Sequence, residues 1–428
     1  MSRAFASVTF LLSRAVRAGI VAGAVACACT FDAAAPQKTL APVFDTGTIE
    51  KGAQLAALGD CMVCHTAPGG RAYAGGRALP TPFGTIYGTN ITPDPDTGIG
   101  QWSEADFTRA MREGVDRAGR QLYPAFPYDH FRHLGDDDVL ALYAFLMTRE
   151  AVSYRPPANE LKFPFNVRPL VAAWKMLFLH RSDLATDARQ SAQWNRGAYL
   201  VAGLGHCGAC HTPRNAMGAE RTDQALSGGE AEGWHASALD HSTRTPVAWT
   251  VDAMTAYLRG EIVADHEVAG GPMQPVVSNL AAVPESDVRA IATYIVSLQP
   301  RASASATSAA TARNDHRQDD HPGAAIYRGA CAMCHGPGRS VPDGALRFGF
   351  STTAREPTPR NFVQIVLHGI RPPEGESGPW MPTFAGALTD AQVADLAGYV
   401  RARFAPLEPA WQNVEAEAQK VRRNPEAP

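Results

Sequence analysis

Apolar positions recur in this chain with one long-range layout, used three times. Each copy ends in a helix-length amphipathic stretch that begins with polar or acidic residues. These stretches run from Asp136-Asp137-Asp138-Val139 to Phe145, from Glu285-Ser286-Asp287-Val288 to Tyr294, and from Thr389-Asp390-Ala391-Gln392-Val393 to Tyr399. In all three an aromatic residue stands six positions after the Val: Phe145, Tyr294 and Tyr399. Acids at a helix start suit its dipole, and the Val/Leu/aromatic spacing makes one apolar face. Each copy opens on a short helix-like lead, Gly52-Ala53-Gln54-Leu55, Gly197-Ala198-Tyr199-Leu200 or Gly323-Ala324-Ala325-Ile326. Gly- and Pro-rich loop sequence lies between lead and close. The pattern predicts a mainly α protein of three tandem domains with long Gly/Pro-rich loops. The domains fall at 44–150, 191–299 and 321–405.

The remaining stretches read as joins and ends. Residues 151–190, with Pro156-Pro157 and Pro164, link the first two domains. Residues 300–320 are Ala/Ser/Thr-rich and then charged, the signature of a flexible linker. The tail, 406–428, carries Leu407, Trp411 and Val414 among charges. Two stretches can touch a membrane or a partner, the tail and Leu170-Val171-Ala172-Ala173-Trp174-Lys175-Met176-Leu177-Phe178-Leu179; ordinary packing is the competing reading of both. Residues 1–35 begin with Arg3, Arg14 and Arg17, continue into an apolar run from Ala18 to Ala28, and read as a secretory signal peptide. Past it, no apolar run is long enough to span a bilayer.

A length of 428 residues agrees with about three domains. The formal charge of −3 gives no reason to expect nucleic acid as a partner. Of eight cysteines, Cys27 and Cys29 lie in the signal region, where lipidation of Cys27 is a minor option. The other six form three copies of one pentapeptide: Cys61-Met62-Val63-Cys64-His65, Cys207-Gly208-Ala209-Cys210-His211 and Cys331-Ala332-Met333-Cys334-His335. Cys-x-x-Cys-His is the attachment signal for c-type haem. On a helical turn the two thiols share a face and reach the two vinyl groups of one porphyrin. The imidazole of His65, His211 or His335 then meets the iron from the proximal side. Structural zinc wants a second pair nearby, and a thioredoxin-like pair wants a βαβ surround; neither is present. The expected cofactors are three haem c groups.

The opposite face of each iron is less uniform. Met381-Pro382-Thr383-Phe384 precedes the third closing helix, and Met273 sits in Gly270-Gly271-Pro272-Met273-Gln274-Pro275. Both thioethers are candidate sixth ligands, against the ordinary role of Met as core filler. The matching place in the first domain is Phe126, which cannot ligate iron. His130, His133 and Met111 are the alternatives there, with His130 first because it is nearest in sequence, and an open sixth position is the remaining option.

These motifs resemble the three-haem cytochrome c subunits of membrane-associated bacterial dehydrogenase complexes. The resemblance rests on Gly59 to Thr66, Pro82 to Asp94, Gly205 to Asn215 and Met381 to Phe384. It implies three cytochrome c-like domains that take electrons from a catalytic dehydrogenase subunit and pass them to ubiquinone or a terminal oxidase. It also implies a periplasmic place on the cytoplasmic membrane surface. The stretches Leu122 to Phe131 and Asn159 to Leu170 look more like the cytochromes paired with molybdenum hydroxylases, whose molybdopterin and iron–sulfur subunits are then the expected partners. The alternative is the branch serving quinoprotein alcohol or flavoprotein sugar dehydrogenases. Such a subunit does no catalysis alone. A peroxidase-like multihaem enzyme and a freestanding carrier are the remaining readings.

Overall fold

A computed structural model describes residues 43–179, 184–263, 265–300, 320–336, 348–372 and 380–423. The expected signal peptide and nearly all of the expected 300–320 linker lie outside the described residues. Among the described residues helices dominate, and the sheet content is two small antiparallel arrangements.

The three lead helices are Thr46–Leu58, Ala192–Ala202 and Pro322–Ile326, and the three closing helices are Asp136–Met147, Glu285–Leu298 and Asp390–Phe404. The sequence explains their ends. Asp45 and Ser191 cap the first two leads by accepting from Thr48 N and Trp194 N. Three acids open the first closing helix, and a reciprocal Thr389–Gln392 capping box opens the third.

Each lead helix crosses its closing helix at a glycine, and the aromatic residue singled out by the repeat stands at the same point. A methyl on Gly52 would lie 1.9 Å from Ala141 O and 2.7 Å from Phe145 Cβ. On Gly197 it would lie 2.0 Å from Ala290 O and 2.8 Å from Tyr294 Cβ, and on Gly323 2.1 Å from Asp395 O and 2.8 Å from Tyr399 Cβ. Backbone meets backbone at these crossings, so only glycine fits. The repeat is therefore one tertiary contact made three times.

The first two units share a continuous core in which Leu58, Phe131, Leu134 and Leu142 join Leu200, Leu204, Val288 and Ile291. The third unit has its own, around Tyr327, Val363, Leu367, Val393 and Leu396. The tail closes that core: the helix Val414–Arg423 buries Val414, Ala418 and Val421, and Trp411 Nε1 donates to Glu356 O at 2.8 Å.

Residues 151–179 are more than the expected link: they strap back over the first unit. Asn159 Oδ1 accepts from Tyr87 N at 2.9 Å, and Glu160–Leu161 adds a third strand to the hairpin Ala78–Thr81/Gly84–Tyr87. On the helix Leu170–Phe178, Lys175 Nζ donates to Glu113 O and Gly114 O, both at 2.6 Å. A buried cation thereby satisfies the carbonyl end of helix Glu104–Glu113. Met176 and Leu177 on the same helix remain exposed, at 86% and 61%.

Candidate haem sites

All three pentapeptides sit on a helical turn just after their lead helix: Cys61–Cys64, Gly208–His211 and Ala332–His335. None of these six cysteines is joined to another in a disulfide. Burial pushes Cys61 and Cys207 up to about 12 and Cys331 up to about 11. A dithiol built for redox exchange needs the opposite, a depressed thiol.

Each of the first two turns is followed by a hairpin that presses a glycine against it. Gly88 packs on Cys64 O and Gly229 on Cys210 O, where a methyl would lie 1.9 Å and 2.2 Å away. Residues that follow the second strand of each hairpin hold the motif histidines. His65 Nδ1 lies 2.6 Å from Thr89 O, and His211 Nδ1 lies 2.7 Å from Ser237 O. A carbonyl can only accept, so Nδ1 carries the proton and Nε2 keeps its lone pair. That is the tautomer and anchoring of a metal-ligating imidazole. Burial lowers the pKa of both rings, which favours the neutral, ligating form.

At the third site, Cys331, His335 and Met381 line one small apolar cavity together with hydrophobic residues that include Phe348, Phe384 and Leu388. Met381 is held by its backbone, which exchanges hydrogen bonds with Ile370 at 2.8 and 3.0 Å. The His335 ring lies against Phe348, centroids 4.4 Å apart. A thiol, an imidazole and a thioether around an otherwise hydrocarbon space are the donor set that suits a covalent haem. Met273 begins the helix Met273–Ala281 and packs, half-buried, on the shared core.

In the first unit, the candidate His130 lies at the boundary with the second unit. His130 has both ring nitrogens engaged: Nδ1 lies 2.8 Å from Ala202 O and Nε2 2.9 Å from Glu220 Oε1. Both nitrogens thus face oxygen partners on the second unit, and His130 pairs there with Glu220. Burial alone would discharge the ring, but the Glu220 carboxylate outweighs it and raises His130 to about 9. Of the alternatives, Met111 is buried in the core beside Phe107, and His133 is half-buried. Phe126 packs edge-on against Phe131, centroids 5.3 Å apart.

The units meet at their motifs. His206 Nε2 donates to Gly59 O at 3.2 Å, Leu204 packs on Gly59, and Asn279 bonds to Asp60. These residues directly precede Cys61 and Cys207 or lie on the second unit's own helices. The second unit also meets the third, where Asn361 Nδ2 donates to His235 O and Asn361 Oδ1 accepts from His235 N, both at 2.8 Å. Sequence reasoning missed Thr89, Ser237 and Glu220. The first two act through backbone carbonyls, which no side-chain pattern announces.

Fold and site together define a cytochrome c. The family described as cytochrome c matches residues 49–150, and the family described as cytochrome c oxidase, cbb3-type, subunit III matches residues 318–400. The gluconate 2-dehydrogenase cytochrome c subunit of Pantoea cypripedii is 37% identical over 381 residues, covering 82% of this chain and 85% of that protein. The chain belongs to the family of dehydrogenase cytochrome c subunits. A nicotinate dehydrogenase subunit of Pseudomonas putida is 50% identical over 384 residues, which cover 88% of this chain and 32% of that protein. The chain therefore spans about a third of that relative's length. A diheme cytochrome c-type protein of Cereibacter sphaeroides is 38% identical over 261 residues, 58% of this chain and 86% of that protein.

Proposed function

We propose that this chain is an electron-transfer subunit carrying three covalent haem c groups, with domains at 44–150, 191–299 and 321–405. It receives electrons from a catalytic dehydrogenase subunit and delivers them to ubiquinone or a terminal oxidase. The observation that carries the reading is the threefold recurrence of a glycine–aromatic helix crossing followed by Cys-x-x-Cys-His on a helical turn.

Cys61 and Cys64, Cys207 and Cys210, and Cys331 and Cys334 would hold the porphyrins by thioether bonds. His65, His211 and His335 would be the proximal ligands, with Met273 and Met381 opposite the second and third. When bound, each haem supplies a one-electron Fe(III)/Fe(II) carrier. The protein's part is to fix imidazole tautomers, exclude water with apolar walls, and hold the units in contact. The second unit touches both others, which makes it the middle of the route.

A molybdenum hydroxylase is the favoured partner. Nicotinate is a nitrogen heterocycle, the substrate class of the branch that the Phe126 stretch resembles. The relative named for nicotinate is also more similar to this chain than the one named for gluconate. Association with the periplasmic face of the cytoplasmic membrane is supported by the exposed side chains Phe163, Met176 and Leu177. No helix among the described residues is long and apolar enough to cross a membrane.

The test is purification from membranes. The expected outcome is three haems per chain by pyridine haemochrome, a co-purifying molybdopterin-containing subunit, and haem reduction by an aldehyde or N-heterocycle. A flavin or quinone-cofactor subunit in its place would assign the chain to the sugar or alcohol branch. Fewer than three haems would overturn the central reading.

A further inference from the structure

The histidine of the second motif is wired to the third unit. Its Nδ1 partner is Ser237 O, and the Ser237 hydroxyl donates onward to Glu356 Oε1 at 2.5 Å. The other carboxylate oxygen, Oε2, lies 2.8 Å from His235 Nε2. Glu356 belongs to the third unit and is only 3% exposed. Its backbone is pinned there: its carbonyl accepts from Arg401 Nη1 at 3.1 Å and from Trp411 Nε1 at 2.8 Å. Asn361 clamps the His235 backbone from the same side. An acid from one unit thus stands two hydrogen bonds behind the imidazole of another.

Resting on the reading of His211 as the proximal ligand, we propose that Glu356 is a positioning residue that sets the reduction potential of the second haem from across the unit boundary. Two effects act in the same direction. A buried carboxylate is poorly screened, and its negative charge favours the ferric state, which carries one more positive charge than the ferrous. Its hydrogen bond to Ser237 also fixes the carbonyl on which His211 Nδ1–H rests, and a firmly held N–H makes the ring a stronger donor to iron. Both lower the potential. The third unit therefore reports its docking to the second haem through one side chain.

The experiment is a spectroelectrochemical titration of the full-length holoprotein carrying Glu356→Gln, with haem content measured beside it. The expected result is one of three waves displaced to higher potential, with the other two unmoved and three haems retained. Ser237→Ala keeps the carbonyl and removes the hydroxyl, so it should move the same wave the same way, by less. Asn361→Ala loosens the same seam without touching the carboxylate and should move none; an equal shift in that variant would make the role merely structural and overturn the proposal. Unmoved waves in Glu356→Gln with all haems present would overturn it too, leaving the three-haem reading intact. Should Glu356→Gln fail to fold, Ser237→Ala decides by the same criterion. A wild-type chain with fewer than three haems would instead overturn the reading on which the proposal rests.

Discussion

At the residue scale, chemistry is decided by who holds each ring or sulfur. The Met381 thioether is held by its backbone at the edge of an apolar cavity shared with Cys331 and His335. Met381→Ala should lower the potential of one haem without releasing it, because thioether bonds retain the porphyrin and loss of Met ligation favours the ferric form. Redox titration with haem counting checks this; an unchanged set of potentials refutes the ligand. The His130–Glu220 ion pair makes a pH prediction. His130 is raised from 6.5 to about 9, so its stabilising contribution is full below pH 6.5 and is lost as pH rises through about 9. Glu220 is held below its ordinary value of 4.5, so its share fades as pH falls below that value. Thermal melts of wild type should show a loss of roughly 1–3 kcal/mol between pH 6.5 and 9.5. His130→Gln should flatten that slope; a slope kept in the variant assigns it elsewhere. His130 was legible in the sequence only as a histidine near the right place. Its partners are 72 and 90 residues away, beyond the reach of local pattern.

At the element scale, the repeat read from spacing is the repeat that folds. Glycine in each lead and the aromatic in each closing helix were both legible as recurring positions, and they meet at one crossing in all three units. Gly197→Ala should cost about 2–3 kcal/mol, since its methyl would lie 2.0 Å from a carbonyl oxygen that belongs to rigid helix backbone. A melting curve equal to wild type would remove the crossing as the organising contact. Residues 151–190 read as a link because Pro and polar residues signal irregular chain, and irregular chain can still be pinned. Here the pins are Asn159, Glu160 and Lys175, whose partners lie on the first unit. Lys175→Met should destabilise helix Glu104–Glu113 by leaving its carbonyl end without a donor, about 1–3 kcal/mol. Urea denaturation followed by circular dichroism measures it, and an unchanged midpoint would show the cap to be idle.

At the scale of the whole molecule, the three units are not equal beads. The first two share one core, whereas the third has its own and is joined by polar contacts such as Arg360–Glu230 at 2.8 Å. A chain ending at Gln299 should therefore fold cooperatively and keep two haems, whereas one ending at Gln190 should melt at clearly lower temperature, having lost Leu200 and Leu204 from its core. Equal melting of the two truncations would mean that the shared core contributes nothing. By itself the sequence determined the number of haem motifs, the helical class, the lead-and-close order, and the thiol and imidazole at each site, because these follow from residue type at short spacing along one helix. Only the tertiary structure decided which carbonyls orient the imidazoles of His65 and His211, that His130 pairs with Glu220 of the second unit, and that an acid of the third unit stands behind the second site. Those depend on hydrogen bonds between segments dozens of residues apart, whose meeting is set by packing of the whole chain and leaves no mark in local order.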